Sequence, residues 1–160
     1  MRVTIAAVGR LRDSALRALY EDFAKRLSWP LVLKEVEEKK PLAGAARIDA
    51  ESRLLAAAVP DKALVVALDQ RGKTLSSEDF AAQLGRWQDD GQAEIAFVIG
   101  GADGIDPAWR KRAALVLSLG AMTWPHMLAR IMLVEQLFRA QAILSGHPYH
   151  RAGAPKSRKS

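Results

Sequence analysis

The six residues from 146 to 151 read Gly-His-Pro-Tyr-His-Arg and bring several chemically versatile side chains together. Histidine and tyrosine can stack on a nucleobase and exchange protons, and arginine binds phosphate. The segment therefore suits an extruded base and its flanking phosphates. A metal site is a poor fit, because the chain has no cysteine and this segment has no carboxylate to complete a ligand set. The alternative interpretation is an ordered cap of the preceding helix.

Two junctions between a strand and a helix could hold a small ligand. The apolar run 97–99 leads into three glycines, at positions 100, 101 and 104, and the segment 118–126 is a second such junction. A strand that ends in glycines exposes backbone N–H groups at the carboxyl edge of a sheet, where open α/β folds bind ligands. The pattern matches neither the dinucleotide nor the Walker fingerprint, and a plain tight turn is the alternative. If the two strands are neighbours, the loops face each other and could enclose a flat ring.

The composition limits the class of protein. A chain of 160 residues that is 49% hydrophobic and 26% charged is typical of one globular domain. The absence of cysteine excludes disulfides, thiolate metal sites and thiol catalysis. The sequence has no run of 18 apolar residues that could span a membrane, and its N-terminal apolar stretch is too short for a signal segment. These two observations favour a cytoplasmic protein. Hydrolase and metalloprotease motifs (G-x-S-x-G and H-E-x-x-H) are missing from the sequence.

The net charge of +6 is concentrated near the C-terminus. The last ten residues hold four basic side chains and no acidic one, leaving 20 basic against 18 acidic residues in positions 1–150. The sequence predicts one domain over residues 1–151 and a basic, disordered tail over residues 152–160. Such a tail suits RNA phosphates through counterion release, and a solubilising end is the alternative.

The apolar patterns alternate between strand and helix periods, which predicts a parallel sheet with helices on both faces. A turn is expected at residues 69–73. Strands are expected at 3–8, 31–36, 63–68, 94–99 and 114–119, and helices at 13–27, 49–58, 76–91, from 106 onward, and 125–145.

The last predicted helix is apolar over most of its circumference. A surface helix shows one apolar stripe, so we expect this helix to need cover on two sides and to form an isologous dimer. On the same helix, Glu135 and Arg139 are spaced i, i+4. They form either an ordinary surface ion pair or a device that presents Arg139 to a phosphate or base.

Five motifs in order resemble the small SPOUT-class methyltransferases that act on 23S ribosomal RNA. Within that class the chain is similar to the large-subunit pseudouridine N3-methyltransferases, formerly called the YbeA family. The resemblance spans residues 1 to about 151. The motifs are Leu-Asp-Gln-Arg-Gly-Lys at 68–73, Ile-Gly-Gly-Ala-Asp-Gly at 99–104, Met-Thr-Trp-Pro-His at 122–126, Glu-Gln-Leu-Phe-Arg-Ala at 135–140 and His-Pro-Tyr-His-Arg at 147–151.

The resemblance implies an α/β fold with a C-terminal trefoil knot, which is an exception to the rule against knots. It also implies a homodimer, S-adenosyl-L-methionine as methyl donor and no metal. The implied substrate is a pseudouridine in a 23S rRNA stem-loop on the assembled ribosome, where an extruded base costs little. No membrane partner is implied.

The resemblance also assigns residues. Those that would line the donor site are Leu68, Gly101, Gly120, Ala121, Met122, Thr123, Trp124 and Pro125. Those that would reach the partner subunit's donor site and form the RNA-side pocket are His147, Tyr149, His150 and Arg151. Arg139 would support that surface, and His150 or Tyr149 could assist removal of the N3 proton, with solvent as the alternative acceptor.

Two departures from the family pattern stand out. Gly120 occupies a position where serine is more usual, so any side-chain contact there is lost. The basic tail extends past the usual end of the family, and we hypothesise that it adds non-specific RNA affinity. Two other functions stay open: a SPOUT methyltransferase with a transfer-RNA substrate, and a non-catalytic RNA-binding adaptor of the same fold.

Overall fold

The computed structural model describes residues 1–151 and has an α/β architecture. In chain order the elements are β1 (Arg2–Val8), α1 (Ser14–Arg26), β2 (Leu31–Val36), α2 (Gly44–Ala58), β3 (Leu64–Thr74), α3 (Ser77–Asp89), β4 (Glu94–Ile99), α4 (Pro107–Arg112), β5 (Leu115–Ser118) and α5 (His126–Ser145). The strands form one sheet in the order β2-β1-β4-β3-β5, and every neighbouring pair is parallel. The predicted parallel sheet is confirmed. The basic tail, residues 152–160, lies outside the described residues.

Helices cover both faces of the sheet, as predicted. Alternate residues of β1 point to opposite faces: Ile5 packs with the cluster under α1, α3 and α5, whereas Ala6 packs with the cluster under α2 and α4. β4 divides in the same way between Phe97 and Val98. Because both faces of the central strands are buried, these strands read as continuous apolar runs in the sequence.

Local capping signals mark most helix boundaries. The side chains of Asp13, Ser76 and Asp106 each accept a hydrogen bond from a backbone N–H in the first turn of the helix that follows. Gly146 ends α5 in the left-handed conformation. α2 and α5 have no capping side chain at their N-termini. α5 follows Pro125 as predicted, whereas α2 begins at Gly44 rather than near Asp49, because no cap marks its first turn in the sequence.

The predicted turn at residues 69–73 is wrong in part, since β3 continues to Thr74. Leu117 of β5 pairs first with Leu68 and again with Lys73, so the intervening residues bulge out of the ladder before pairing resumes. Gly72 lies in this bulge. A Cβ at that position would overlap the backbone carbonyl of Val116, so only glycine allows β3 to approach β5 this closely.

Replacing Gly72 with alanine is expected to destabilise the protein by about 1–3 kcal/mol, because the added methyl group must displace strand backbone. The measurement is the free energy of unfolding from chemical denaturation. Gly85→Ala in α3 is the matched control, since its Cβ would meet only the flexible Leu144 side chain. Alanine in a helix interior is favoured over glycine by about 0.5–1 kcal/mol. A Gly72→Ala protein as stable as the wild type would contradict the close approach of the strands.

Strand order separates the two loops that were expected to face each other. β3 lies between β4 and β5, so the condition that their strands are neighbours is not met. With adjacent strands about 4.8 Å apart, the loops start roughly 10 Å from each other. After β1 the chain crosses to β2, toward one edge of the sheet. After β4 it crosses to β5, toward the opposite edge. The crevice between the carboxyl ends of β1 and β4 is therefore the topological switch point, where open α/β sheets bind ligands.

α5 is covered mostly within the single chain. It packs between α1 and α3 and against the sheet, and nine of its residues are buried. The argument that such an apolar helix needs a second protomer for cover is therefore not supported, although Leu128 and Leu144 remain exposed. The homodimer and the trefoil knot both stay predictions. In the part of the chain that the structure describes, no helix is long and apolar enough to cross a membrane.

Candidate functional site

The glycine loop after β4 closes on itself. The Gly104 N–H donates to the Gly101 carbonyl oxygen at 3.1 Å, and the two residues form an isolated bridge. A Cβ at Gly100 would lie 2.7 Å from the Gly104 carbonyl oxygen, so a side chain there would force the loop open. The glycines thus serve a compact turn that brings bare backbone to the β1–β4 crevice.

A small cavity of about 210 Å³ lies in this crevice. Its walls include Gly9 after β1, Gly101 in the glycine loop, Arg47 and Glu51 from α2, and His126 at the start of α5. His126 directly follows Pro125, the last residue of the predicted donor-binding run. The cavity therefore brings parts of both predicted loops together, even though their strands are not neighbours. Burial, assisted by the nearby charge of Arg130, lowers the pKa of His126, which favours its neutral form.

Glu51 is buried in this cavity without a hydrogen-bond partner. Its side chain is on the inward face of α2 and is 7% exposed, and its Oε2 atom is fully shielded. A Cβ at Gly101 would come within 2.9 Å of Oε2, so the carboxylate lies against the Gly101 backbone. Burial raises the pKa of Glu51, and the positive charge of Arg47 only partly opposes the shift. Glu51 was not among the predicted site residues, although its i, i+4 spacing from the buried Leu55 is a usable signal.

Glu51→Gln is expected to stabilise the unliganded protein at neutral pH. Because the folded-state pKa of Glu51 is above its unfolded value, stability falls as the pH rises from about 4.5 through the folded pKa. Replacing the buried carboxylate charge with a neutral amide should gain roughly 1 kcal/mol at pH 7.5. That gain corresponds to a rise of about 2–4 °C in the unfolding midpoint. Thermal unfolding at pH 7.5 and pH 5 measures the effect, which should shrink at the lower pH.

Asp49→Asn is the control for this variant, because it removes the same charge from an exposed position on the same helix. It should leave the unfolding midpoint unchanged at both pH values. A Glu51→Gln protein that is less stable than the wild type at pH 7.5 would contradict the buried, unsatisfied carboxylate.

Arg130 holds the end of β1 against α5. It is fully buried, and its guanidinium donates to the carbonyl oxygens of Val8 and Gly9 at 3.0 and 3.1 Å. It also donates to the Glu35 carboxylate at 2.9 Å. The network positions Gly9, and through α5 also His126, on the wall of the small cavity. The sequence analysis did not select Arg130; the available signal was a lone arginine within the apolar stretch 127–134.

A larger cavity of about 490 Å³ lies on the other side of the sheet, between β3, β5 and α5. Its walls are mainly apolar and include Phe23, Leu117, Ile131 and Glu135, with Gly120 at one edge. The volume is within the usual range of cavities that bind small ligands.

The residues predicted to hold the methyl donor are not gathered around one cavity. Gly120 borders the larger cavity and Gly101 the smaller one, whereas Leu68 is half-buried in β3. The rest of the run, residues 121–125, is exposed. Its side chains are tied back locally, since Gln70 donates to the Thr123 hydroxyl at 3.0 Å and the Trp124 indole donates to the Leu119 carbonyl at 3.3 Å. The residues on either side of this stretch each line one cavity, Gly120 the larger and His126 the smaller.

The C-terminal residues predicted to act on RNA form one cluster with Arg139. The Arg139 guanidinium donates to Glu135, hydrogen-bonds Nδ1 of His150 at 3.2 Å and lies 4.9 Å from the centre of the Tyr149 ring. The Tyr149 hydroxyl donates to Glu135 at 3.0 Å, and Nε2 of His150 lies 2.8 Å from the Glu78 carboxylate. Because Glu135 also lines the larger cavity, this cluster borders it. The Glu135–Arg139 ion pair is present, and its guanidinium also contacts His150 and Tyr149, so that both interpretations of the pair stay open.

The other two predicted RNA-side residues are more loosely placed. His147 and Arg151 are exposed, and the His147 ring accepts a hydrogen bond from the Tyr149 N–H at Nδ1. Glu135 and Glu78, which hold the cluster together, were not among the predicted site residues. The i, i+4 spacing from Arg139 was the available sequence signal for Glu135. No local sequence pattern points to Glu78.

Comparisons with known proteins agree with this architecture. A family model described as "Predicted SPOUT methyltransferase" matches residues 1–150. The chain is 58% identical to ribosomal RNA large subunit methyltransferase H of Rhodospirillum centenum, over 95% of this chain and all of that one. It is 54% identical to the protein of the same name from Paramagnetospirillum magneticum, over 94% and 99% of the two chains.

Solved structures support the fold alone. A probable methylase family protein from Haemophilus influenzae superposes with a TM-score of 0.52 at 11% identity, over 98% of this chain and 72% of that one. A methylase family protein from Neisseria gonorrhoeae superposes with a TM-score of 0.51 at 11% identity, over 93% and 94%.

Proposed function

The chain belongs to the SPOUT methyltransferase family, and from that premise we propose that it methylates large-subunit ribosomal RNA with S-adenosyl-L-methionine as donor. The finer proposal is methylation at N3 of a pseudouridine in a 23S rRNA stem-loop of the assembled ribosome. One observation carries the proposal: the match to relatives named for large-subunit RNA methylation covers almost the whole of both chains.

The donor would be held by backbone groups of the two loops. Leu68, Gly101 and the run Gly120–Pro125 are the proposed contacts, and residues 121–125 are exposed. When bound, S-adenosyl-L-methionine supplies a methyl group on a sulfonium centre. The chain's own contribution is to position the nucleophilic nitrogen in line with that methyl group, and positioning alone can supply much of a rate enhancement.

The proton on N3 of the target base must be removed during methylation, and two features of the C-terminal cluster indicate which group accepts it. Burial, reinforced by the hydrogen bond to Glu135, raises the pKa of Tyr149, which makes its phenolate harder to form. Arginine has no acceptor, so Nδ1 of His150 accepts from Arg139, and in the neutral ring Nε2 then carries the hydrogen toward Glu78. Both nitrogens of His150 are committed in this arrangement. We therefore propose that Arg139, Tyr149 and His150 hold the RNA, and that water accepts the proton.

The proposed active unit is a homodimer in which His147, Tyr149, His150 and Arg151 reach the partner subunit's donor site. A mixing experiment tests this arrangement. Gly101→Val should block donor binding, because even a Cβ at that position is crowded by Glu51 and Val8. A mixture of that variant with Arg139→Ala should regain activity that neither has alone, through one intact composite site. A mixture that stays inactive while exchanging subunits would refute a shared site.

The central experiment measures methylation of assembled ribosomes, isolated subunits, free 23S rRNA and tRNA. Mass spectrometry of digested RNA should find one methylated pseudouridine in the large-subunit RNA. A tRNA product would favour the related transfer-RNA enzyme. Binding of S-adenosylhomocysteine, measured by calorimetry, separates an enzyme from an RNA-binding adaptor, because the adaptor needs no donor. The contribution of the tail 152–160 to RNA affinity stays a prediction.

A further inference from the structure

The carboxylate of Glu51 is an unmatched charge in the small cavity. Its Oε2 atom is shielded from solvent and accepts no hydrogen bond, and within residues 1–151 no lysine, arginine or histidine nitrogen lies within 4 Å of it. A buried carboxylate without a partner costs free energy, so its presence points to a group that arrives with the ligand. That group must donate hydrogen bonds and is best matched by a positive charge.

The nearby charges are already committed to other contacts. Arg47 pairs with Asp103 at 3.5 Å and donates to the Leu42 carbonyl oxygen, so it is not the missing partner. The adjacent Glu37 is paired with two arginines. A metal ion is disfavoured by the donor set, because no three histidine, aspartate or glutamate side chains cluster suitably anywhere in residues 1–151.

The position of Glu51 identifies the ligand group. Its carboxylate lies against the backbone of Gly101, a proposed donor contact, and the same cavity is lined by His126, next to the end of the second donor loop. At about 210 Å³ the cavity is smaller than typical ligand sites, so it suits an amino-acid end better than a whole nucleoside. We propose that Glu51 binds the α-ammonium group of the methyl donor, an inference that rests on the proposed methyltransferase function.

Two further features fit a cationic ligand group at this place. The lowered pKa of His126 favours a neutral ring, so that wall of the cavity does not repel an ammonium ion. An ammonium also supplies three N–H donors, so it can bond the carboxylate and still donate to a second acceptor. Binding of the ammonium group would thus offset the cost of burying the Glu51 carboxylate.

The test compares two ligands on the full-length protein by calorimetry. One is S-adenosylhomocysteine, and the other is its analogue in which hydrogen replaces the α-amino group. Hydrogen bonds between charged partners are worth enough to change affinity by about 10- to 100-fold. Glu51→Gln should therefore weaken S-adenosylhomocysteine by that factor and leave the affinity for the deaminated analogue unchanged. Asp49→Asn, which removes the same charge from the exposed side of α2, should bind both ligands like the wild type.

The possible outcomes separate this inference from the proposed function. Wild-type protein that fails to bind S-adenosylhomocysteine would refute the methyltransferase proposal itself. Wild-type binding that Glu51→Gln leaves intact would overturn the role of Glu51 alone. Equal weakening of both ligands by Glu51→Gln would also overturn it, because the effect would then not depend on the ammonium group. Thermal unfolding of the variant checks that it is folded in each case.

Discussion

Arg139→Ala should lower the rate of methyl transfer to ribosomes by about 100-fold, the size of loss expected when reacting groups are misplaced by about 1 Å. Arg139 contacts three members of the C-terminal cluster at once: it pairs with Glu135, bonds the ring of His150 and lies over the ring of Tyr149. Without it, the His150 ring loses its side-chain connection to Glu135, the residue that also binds the Tyr149 hydroxyl. The affinity for S-adenosylhomocysteine should stay within about threefold of wild type, since Arg139 lines neither cavity.

Two variants control for trivial causes of this loss. Arg53→Ala removes an arginine from a similar i, i+4 pair on an exposed helix surface, and should retain full activity. Arg139→Lys keeps the charge but loses the planar fork that serves several partners at once, so we expect it to remain strongly impaired. Full activity of Arg139→Ala would refute the positioning role, and equal loss in Arg53→Ala would attribute the effect to general charge.

Arg130→Ala should lower the free energy of unfolding by about 3–5 kcal/mol, the usual cost of breaking a buried ion pair by removing one partner. The substitution leaves the Glu35 carboxylate without its buried cation and the carbonyl oxygens of Val8 and Gly9 without their donors. It also opens a cavity where a fully buried arginine stood. Chemical denaturation followed by tryptophan fluorescence measures the loss.

Arg130→Met tests whether packing or pairing dominates. Methionine refills part of the volume but supplies no donor, so most of the loss should persist. Combining Arg130→Met with Glu35→Gln should cost less than the sum of the two single changes, because each single change already breaks the shared contact. A loss below about 1 kcal/mol for Arg130→Ala would contradict this network. Because Glu35 also interacts with Arg17 and the Leu11 N–H, Glu35→Gln alone is expected to be destabilising.

The small cavity joins stability to ligand binding. Glu51 is expected to make the unliganded protein less stable and to make ligand binding stronger, which is the trade-off seen at many functional sites. The same substitution, Glu51→Gln, should therefore raise the unfolding midpoint and weaken binding of S-adenosylhomocysteine. A purely structural glutamate would not give this opposite pair of effects.

Much of the fold could be predicted because its signals are local. Caps such as Asp13 and Ser76 act on N–H groups in the next turn, and apolar runs such as 94–99 report burial of a single strand. The motifs that carry the family resemblance are also short segments, and the family model match over residues 1–150 confirmed it. The Arg139 cluster was predictable in its membership for the same reason, since most of its residues fall within two neighbouring motifs.

The sequence by itself therefore determined most of the elements, the fold class, the family and most residues of the C-terminal cluster, but not Glu78. Only the tertiary structure decided which strands are neighbours, and so placed β3 between the two predicted donor loops. It also decided the pairing of Arg130 with Glu35, 95 residues away, and the position of Glu51 against Gly101. These features depend on contacts between segments that are distant in the sequence. Packing of the whole sheet selects which segments meet, and such a contact leaves no periodic pattern in either segment.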